Sequence, residues 1–309
     1  MRTHAFGQFL IRAYLVIFLA YMLLPLIVMG GAALNDTKFP SVYPWAGWTD
    51  RWFIDLWTDE RMWTAGRNTV LVALAVVIIS IPIGTAAAIL INSVQAKSRS
   101  FLYGVMVAPI LTPGAVIGIS TLLFWNNLGI VTGMQQDFPF AAGLHLSVLG
   151  QVSFIAAYVM LLVLARLQSF DPGLEEAALD LGASHGQVMR RVLMPHLYPA
   201  IGAGALIAFF QSVENFNVTL FTRGTYDTLT VYVGSKVRSG ITPTINALAL
   251  SLIVITVLGA IAYEISRRRA VARELADLAV LEKAVAAEEQ RLARIAVPGD
   301  DGLEMASTQ

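Results

Sequence analysis

The stretch DPGLEEAALDLGASHGQVMRRVLMP, Asp171 to Pro195, is a polar interruption between two long apolar runs. It reads as two short helices joined at a glycine. Asp171 caps the first, Pro172 suits its first helical position, and Glu175 and Glu176 favour the positive end of its dipole. Gly182 ends it. Ser184 and Gln187 have the spacing of a capping box, so a second helix starts there. Arg190 and Arg191 fall in its last turn, where cations complement the dipole, and Pro195 is expected to stop it. Leu174, Ala178 and Leu181 recur at i, i+4 and i+7 with Ala177 beside them. Such small side chains let another protein approach the backbone, although an ordinary connector could carry the same spacing.

The runs around this segment decide the class. The chain of 309 residues is 56% hydrophobic and 14% charged, against roughly 25% charged residues in soluble domains. Uncharged runs cover Ala13 to Asn35, Asn68 to Ala96, Ser100 to Gln136, Phe138 to Ala165, Val192 to Val213 and Ser239 to Tyr263. A membrane helix needs about 20 apolar residues, so all six qualify. The first has 23 positions, beyond the roughly 7–15 of a signal-peptide core, and is expected to be a retained span. Pro25, Pro82, Pro109 and Pro113 lie at membrane depth, and Ala108-Pro-Ile-Leu-Thr-Pro-Gly114 is where a broken or kinked helix is expected, lining a cavity.

Placing the N-terminus inside puts fourteen Lys and Arg in the cytoplasmic segments and seven outside, the bias that sets orientation. Both termini are then cytoplasmic, and the 166–197 loop faces the cytoplasm. The first outer loop, Asp36 to Arg67, holds Trp45, Trp48, Trp52, Trp57 and Trp63, which reads as an interfacial segment or as a landing surface for an external partner. From 269 to 309 the chain turns charged, a helical tail expected to be partly disordered. Leu278, Leu281, Val285 and Leu292 there follow part of a heptad interrupted by Glu274 and Glu288.

Net charge is zero, which leaves no electrostatic footprint for nucleic acid, and the absence of cysteine excludes disulfides and thiolate metal sites. His4, His145, His185 and His196 show no metal-ligand spacing, and His185 and His196 read as solvated or capping residues of the loop. No phosphate-binding loop of the G-x-x-x-x-G-K-[ST] form occurs, so any ATP and Mg belong to a separate subunit and this chain is expected to hold no cofactor.

Glu176-Ala177-Ala178, Gly182 and Val192 with Met194-Pro195 resemble the EAA loop of ABC importer permeases, with Val192 for the usual Ile and Met194 for the usual Leu. Pro109 to Gly114, Ile117-Gly-Ile-Ser120 and Gln211 to Phe216 look like segments of the spermidine/putrescine-type branch, in particular of its second permease subunit. The likeness covers roughly Arg12 to Ser266, and the tail after Arg269 departs from it. It implies an all-α integral membrane protein of six transmembrane helices, the type I importer permease fold at 1–268. It also implies a multi-pass bacterial inner-membrane transport subunit rather than an enzyme. Carried over, Glu176, Ala177, Ala178 and Gly182 form the turn that docks on the ATPase, with Pro195 ending the second helix. The partners implied are an ABC ATPase dimer, a second permease in a heterodimer and a solute-binding protein.

The fifth run carries a small-residue stripe, Ala200, Gly204, Ala208 and Ser212, suited to close helix contact. Gln211, Glu214 and Asn217, at i, i+3 and i+6, form a polar face with Phe221 four residues on. A carboxylate at the bilayer centre costs on the order of 2.5–3.5 kcal/mol, so Glu214 needs water, a partner charge or a ligand. It is expected either to line a path and attract an ammonium group or to pair with Arg223, Lys236 or Arg238. Polyamines are the substrate class implied, with opines, aminoethylphosphonate or ferric ion as other solutes. An ion-coupled secondary transporter would show more intramembrane charge and an inverted repeat, and a membrane enzyme would show convergent catalytic groups.

Overall fold

The computed structural model describes residues 2–240 and 242–296, with side chains for 7–95, 97–240, 242–269 and 271–273. Within them the chain is helical, the nearest thing to a strand being a single bridge between Asn35 and Trp48. Among the described residues, six helices are long and apolar enough to cross a membrane: Gly7–Leu34, Glu60–Ser93, Gly114–Thr132, Leu144–Leu167, His185–Val213 and Pro243–Arg273. They follow the six apolar runs in order. The chain forms two units, one of residues up to Gly30 with the last helix from Leu248, the other Gly31–Ala247.

In the first unit, helix α1 (Arg2–Leu34) brings Gly30 against Leu250, and its long faces are bare apolar surface, as at Ile17 and Leu24. Lipid, not water, must cover such a face. The heptad positions of the tail and residues 297–309 lie outside the described side chains or residues.

The second unit opens with a loop built on Asn35, which is fully buried. Its Nδ2 donates to the carbonyls of Ser41 (2.9 Å) and Pro44 (3.1 Å), its Oδ1 accepts from Ala46 N–H (2.8 Å), and its own carbonyl accepts from Trp52 Nε1 (3.0 Å). One amide therefore organises the tryptophan loop. Trp52 is tucked under helix α2 (Arg51–Trp57), while Trp45 with Trp48 and Trp57 with Trp63 form edge-on pairs that stay exposed.

Helix α3 (Glu60–Ser93) starts at Asp59, whose carboxylate accepts from the N–H groups of Arg61 and Met62. The Tyr232 hydroxyl donates to the same carboxylate at 2.7 Å, and Lys236 Nζ lies 3.5 Å away. Burial pushes the Asp59 carboxyl up, but the Tyr232 hydroxyl, the Met62 amide, the Lys236 charge and the Arg61 amide outweigh it and hold the group below the ordinary aspartate value. Burial and the adjacent carboxylate push the Tyr232 phenol up.

The 100–136 run is two helices, α4 (Ala96–Leu111) and α5 (Gly114–Thr132), broken where the two prolines predict. Helix α6 (Leu144–Leu167) is the central element, packed against α3 through Val72, Val76 and Ile91. Contact is close at Gly84, where an added Cβ would lie 2.5 Å from the Ala156 carbonyl and 2.9 Å from Met160 N.

After α6 come α7 (Pro172–Asp180) and the single turn α8 (His185–Val188), then a π turn at Met189–Leu193 that runs straight into α9 (Met194–Val213). Pro195 therefore does not stop the second helix. The wider π turn, closed by Met194 N–H on the Met189 carbonyl, precedes the ring, which then takes the second position of α9, where no intrahelical donor is required. Arg190 and Arg191 accordingly sit inside a continuous element, not at a helix end. Gly204, Ala208 and Ser212 of the small-residue stripe are buried, with Gly204 against Val159 of α6. Helices α10 (Asn217–Thr222) and α11 (Leu229–Ser239) lead to α12 (Pro243–Ala296).

Two outcomes follow. Gly84→Ala forces a methyl group onto backbone and should destabilise the protein by about 1–3 kcal/mol, read as a lower melting temperature, whereas Gly66→Ala, in the same helix with open space around it, should not. Asp59 has a folded pKa below its unfolded value, so its ionised form stabilises above the ordinary carboxylate pKa and that stability is lost as pH falls through the lowered value. Asp59→Asn should melt earlier than the parent at pH 7, and the gap should begin to narrow as pH falls below about 4 and close once pH is below the lowered value.

Candidate functional site

Two places carry chemistry. The first is the 166–197 loop. Asp171 accepts from Gly173 N–H at 2.9 Å and Pro172 opens α7. The helix closes with Gly182 at φ +83°, its N–H on the Leu179 carbonyl (2.8 Å) and that of Ala183 on the Ala178 carbonyl (3.1 Å). This paired closure needs a left-handed residue, which glycine supplies without strain. Ser184 and Gln187 exchange both bonds of the capping box. Glu176 and Ala177 are exposed, Ala178 is half-buried, and Leu174 and Leu181 stand out as bare apolar side chains, Leu181 at 89% exposure. The loop is tied back to the bundle by Arg166 Nε donating to the His196 carbonyl at 3.1 Å and by the Phe170 ring against His196.

The second place is a cavity of about 300 Å³ where two helix breaks face each other. One is Leu111 to Gly114, between α4 and α5. The other is Glu214 to Phe216, because α9 ends at Val213 and α10 begins at Asn217. Gln211, Glu214 and Asn217 thus do not share a helix face, since the backbone leaves the helix among them. All three still line the cavity, with Asn215, Phe216 and Thr112, and with Phe154 and Tyr158 of α6 as an edge-on aromatic pair.

Polar side chains make the second break tenable. Asn215 Oδ1 accepts from the N–H of Val218 at 3.1 Å and of Thr219 at 3.4 Å, capping α10. Fully buried Gln151 of α6 accepts from Ser212 Oγ at 2.5 Å and donates to Thr219 Oγ1 at 2.9 Å, joining both sides of the break. Ser147 and Thr222 form a second buried pair at 2.9 Å. Glycines let α10 approach: an added Cβ would meet Val218 at 2.7 Å from Gly150 and at 2.9 Å from Gly118.

Among the described residues no ion pair reaches Glu214. Arg223 is paired with Asp227, Lys236 with Asp59, and Arg238 lies over the Phe216 ring. The three cations considered as its partners are all engaged elsewhere. Phe221 does not line the cavity; it sits one turn beyond Asn217 on α10, its ring against Gly118 of α5. Sequence reasoning missed Asn215, Gln151, Phe154 and Tyr158. Asn215, three and four residues before Val218 and Thr219, carries a capping signal, but Phe154 and Tyr158 read only as members of an apolar run.

Residues 80–272 match the model of the family described as binding-protein-dependent transport system inner membrane component. The chain is 32% identical over 251 residues to the putrescine transport system permease protein PotI of Escherichia coli (strain K12), covering 80% of this chain and 87% of the relative. It is 27% identical over 263 residues to the spermidine/putrescine transport system permease protein PotC of the same organism, covering 85% and 95%. Among solved structures, a chain of a bacterial ABC transporter involved in import of the acidic polysaccharide alginate superposes with a TM-score of 0.67 at 20% identity, covering 85% of this chain and 96% of that one. At that identity the likeness concerns the fold.

Proposed function

The chain belongs to the family of binding-protein-dependent transport system inner membrane components, and from that premise we propose that its cavity conducts a polyamine and its 166–197 loop docks the ATPase. It is a multi-pass inner-membrane permease subunit of an ABC importer, not an enzyme.

The observation that carries the substrate class is an exposed carboxylate with no ion-pair partner among the described residues, in a cavity walled by aromatic rings and amides. Glu214 lies 16 residues beyond Tyr198, about 24 Å from the cytoplasmic end of α9 and so in the outer half of a core of roughly 30 Å. At that depth an unpaired carboxylate attracts a cation, and the faces of Phe154, Tyr158 and Phe216 favour an ammonium over a metal aquo ion. The relatives named for putrescine and spermidine agree with a linear amine. With the termini in the cytoplasm, a second permease completes the path, a solute-binding protein delivers the amine from outside, and ATP is held by the docked subunit.

The loop suits a socket. Glu176, Ala177 and Ala178 lie on a short capped helix that Gly182 closes, with Glu176 and Ala177 bare and Ala178 half-buried. Its continuation through α8 and the π turn into α9 gives a single helical path from Ser184 to the cavity edge at Val213. Pro195 belongs to that path and not to the docking turn.

In the assembled complex, Glu214→Gln should raise the putrescine concentration that half-stimulates ATP hydrolysis by about tenfold, the loss of one charge-assisted contact. An unchanged response would sink the pathway role. Gly182→Val strains a positive φ, and Glu176→Ala removes the exposed acid. Both should weaken retention of the ATPase subunit in pull-downs and slow transport, and parental values for both measurements would refute the docking assignment.

A further inference from the structure

Helix α11 does not span the membrane, and the mechanism above gives it no task. It nevertheless touches the cavity from one face and the start of α3 from the other. Thr230, Gly234 and Arg238 recur every four residues along one face. All three contact the break that carries Glu214. Thr230 Oγ1 donates to the Asn215 carbonyl at 3.1 Å, Gly234 lies so close to the Phe216 ring that an added Cβ would be 2.6 Å from Cε2, and the Arg238 guanidinium sits 5.9 Å from the centre of that ring. Phe216 is a wall of the cavity.

Tyr232 and Lys236 fall about 200° around the helix from Thr230 and Gly234. Both reach Asp59, the cap of α3, and Lys236 also lies 5.4 Å over the Tyr232 ring. The first turn is pinned as well, with Leu229 N–H donating to Thr69 Oγ1 at 2.7 Å. The helix is thus clamped between two partners that are far apart in sequence. The contacts toward the cavity are a hydrogen bond, a bare Cα and a cation on a ring, none of which fills the break itself.

We propose that α11 is a strut that sets the cavity, with Thr230, Gly234 and Arg238 as positioning residues that hold Phe216, and through it the Glu214 turn, against the anchor at Asp59. The strut follows from these contacts alone, and its effect on substrate rests on the cavity reading given above. A rigid helix held at both faces moves as one piece, so a displacement at the Asp59 end, where the tryptophan loop enters α3, reaches Phe216 within 11 residues of α11. Gly234 sets the closeness of the contact and Arg238 supplies its attraction, because the ring face is electron-rich.

The chain lacks cysteine, so Asn217→Cys gives a single reactive thiol at the cavity rim. Its rate of reaction with a methanethiosulfonate reagent in the full-length protein reports how open the break is. Adding Arg238→Gln or Tyr232→Phe should raise that rate about two- to fivefold, the range set by loss of one cation–π contact or hydrogen bond. Arg238→Lys keeps the cation and should return the rate toward the parent. A thiol placed by Ser169→Cys, exposed in the 166–197 loop and away from the cavity lining, should react as before in the isolated chain. Faster reaction at both positions in Arg238→Gln would mark an unfolded variant, and Tyr232→Phe, which removes one hydroxyl, then decides. Unchanged rates at position 217 in that variant overturn the strut. In the assembled importer without added cysteines, the same variants should raise the half-stimulating putrescine concentration by a similar factor. An altered thiol rate with unaltered putrescine response supports the strut and sinks the cavity as a substrate path.

Discussion

In hydrocarbon a helix can end only where its freed amides and carbonyls find partners, and this constraint governs where the chain can do anything other than span. Two breaks fall within the second unit, at Leu111 to Gly114 and at Glu214 to Phe216, and they face one another. The first is dictated by proline. The second is held by Asn215 as a cap and by Gln151, which bonds Ser212 before the break and Thr219 after it. Remove those groups and the N–H groups of Val218 and Thr219 and the buried hydroxyls of Ser212 and Thr219 lose partners, at a cost comparable to the lost bonds themselves. The cavity is therefore a by-product of how the second break is satisfied, and Glu214 stands at its edge because it is the residue at which α9 stops.

Close packing makes those bonds possible. Gln151 reaches both sides only because Gly150 lets α10 lie against α6 and Gly118 lets it lie against α5. Gly84 and Gly204 do the same for α3 and α9 on α6. Helices gain no hydrophobic driving force from one another in lipid, so such approach and the polar contacts it permits are the main attractions available. The same packing joins the loop to the cavity. A π turn absorbs Pro195 and leaves one helical path from Ser184 to Val213, so the exposed loop and the cavity edge lie at opposite ends of one element.

Much of this was legible beforehand because it depends on neighbours in sequence. Span number and order follow from runs of apolar residues, the α4–α5 break from Pro109 and Pro113, and the loop helices from Asp171, Gly182, Ser184 and Gln187, whose capping bonds close within a few residues. The reading went astray where a local rule met tertiary context. Pro195 is a stop signal in an ordinary α-helix, but a wider turn ahead of it changes which carbonyl the ring opposes. A shared polar face for Gln211, Glu214 and Asn217 requires one uninterrupted helix, whereas α9 stops at Val213, and Phe221 packs against Gly118 one turn past the cavity-lining Asn217.

The sequence by itself determined the class of molecule, its six spans, its helix–glycine–helix loop and the acidic residue worth watching, because composition, periodicity and caps act over short distances along the chain. Only the tertiary structure decided that Glu214 has no ion-pair partner among the described residues, since Arg223, Lys236 and Arg238 found Asp227, Asp59 and Phe216 instead. It also decided that Phe154 and Tyr158 line the same cavity as Glu214, some 60 residues away in the chain, and that one buried asparagine, Asn35, orders the tryptophan loop. Which polar and aromatic groups meet depends on how distant helices pack, and that is set by glycine contacts and buried bonds between segments that share no local pattern.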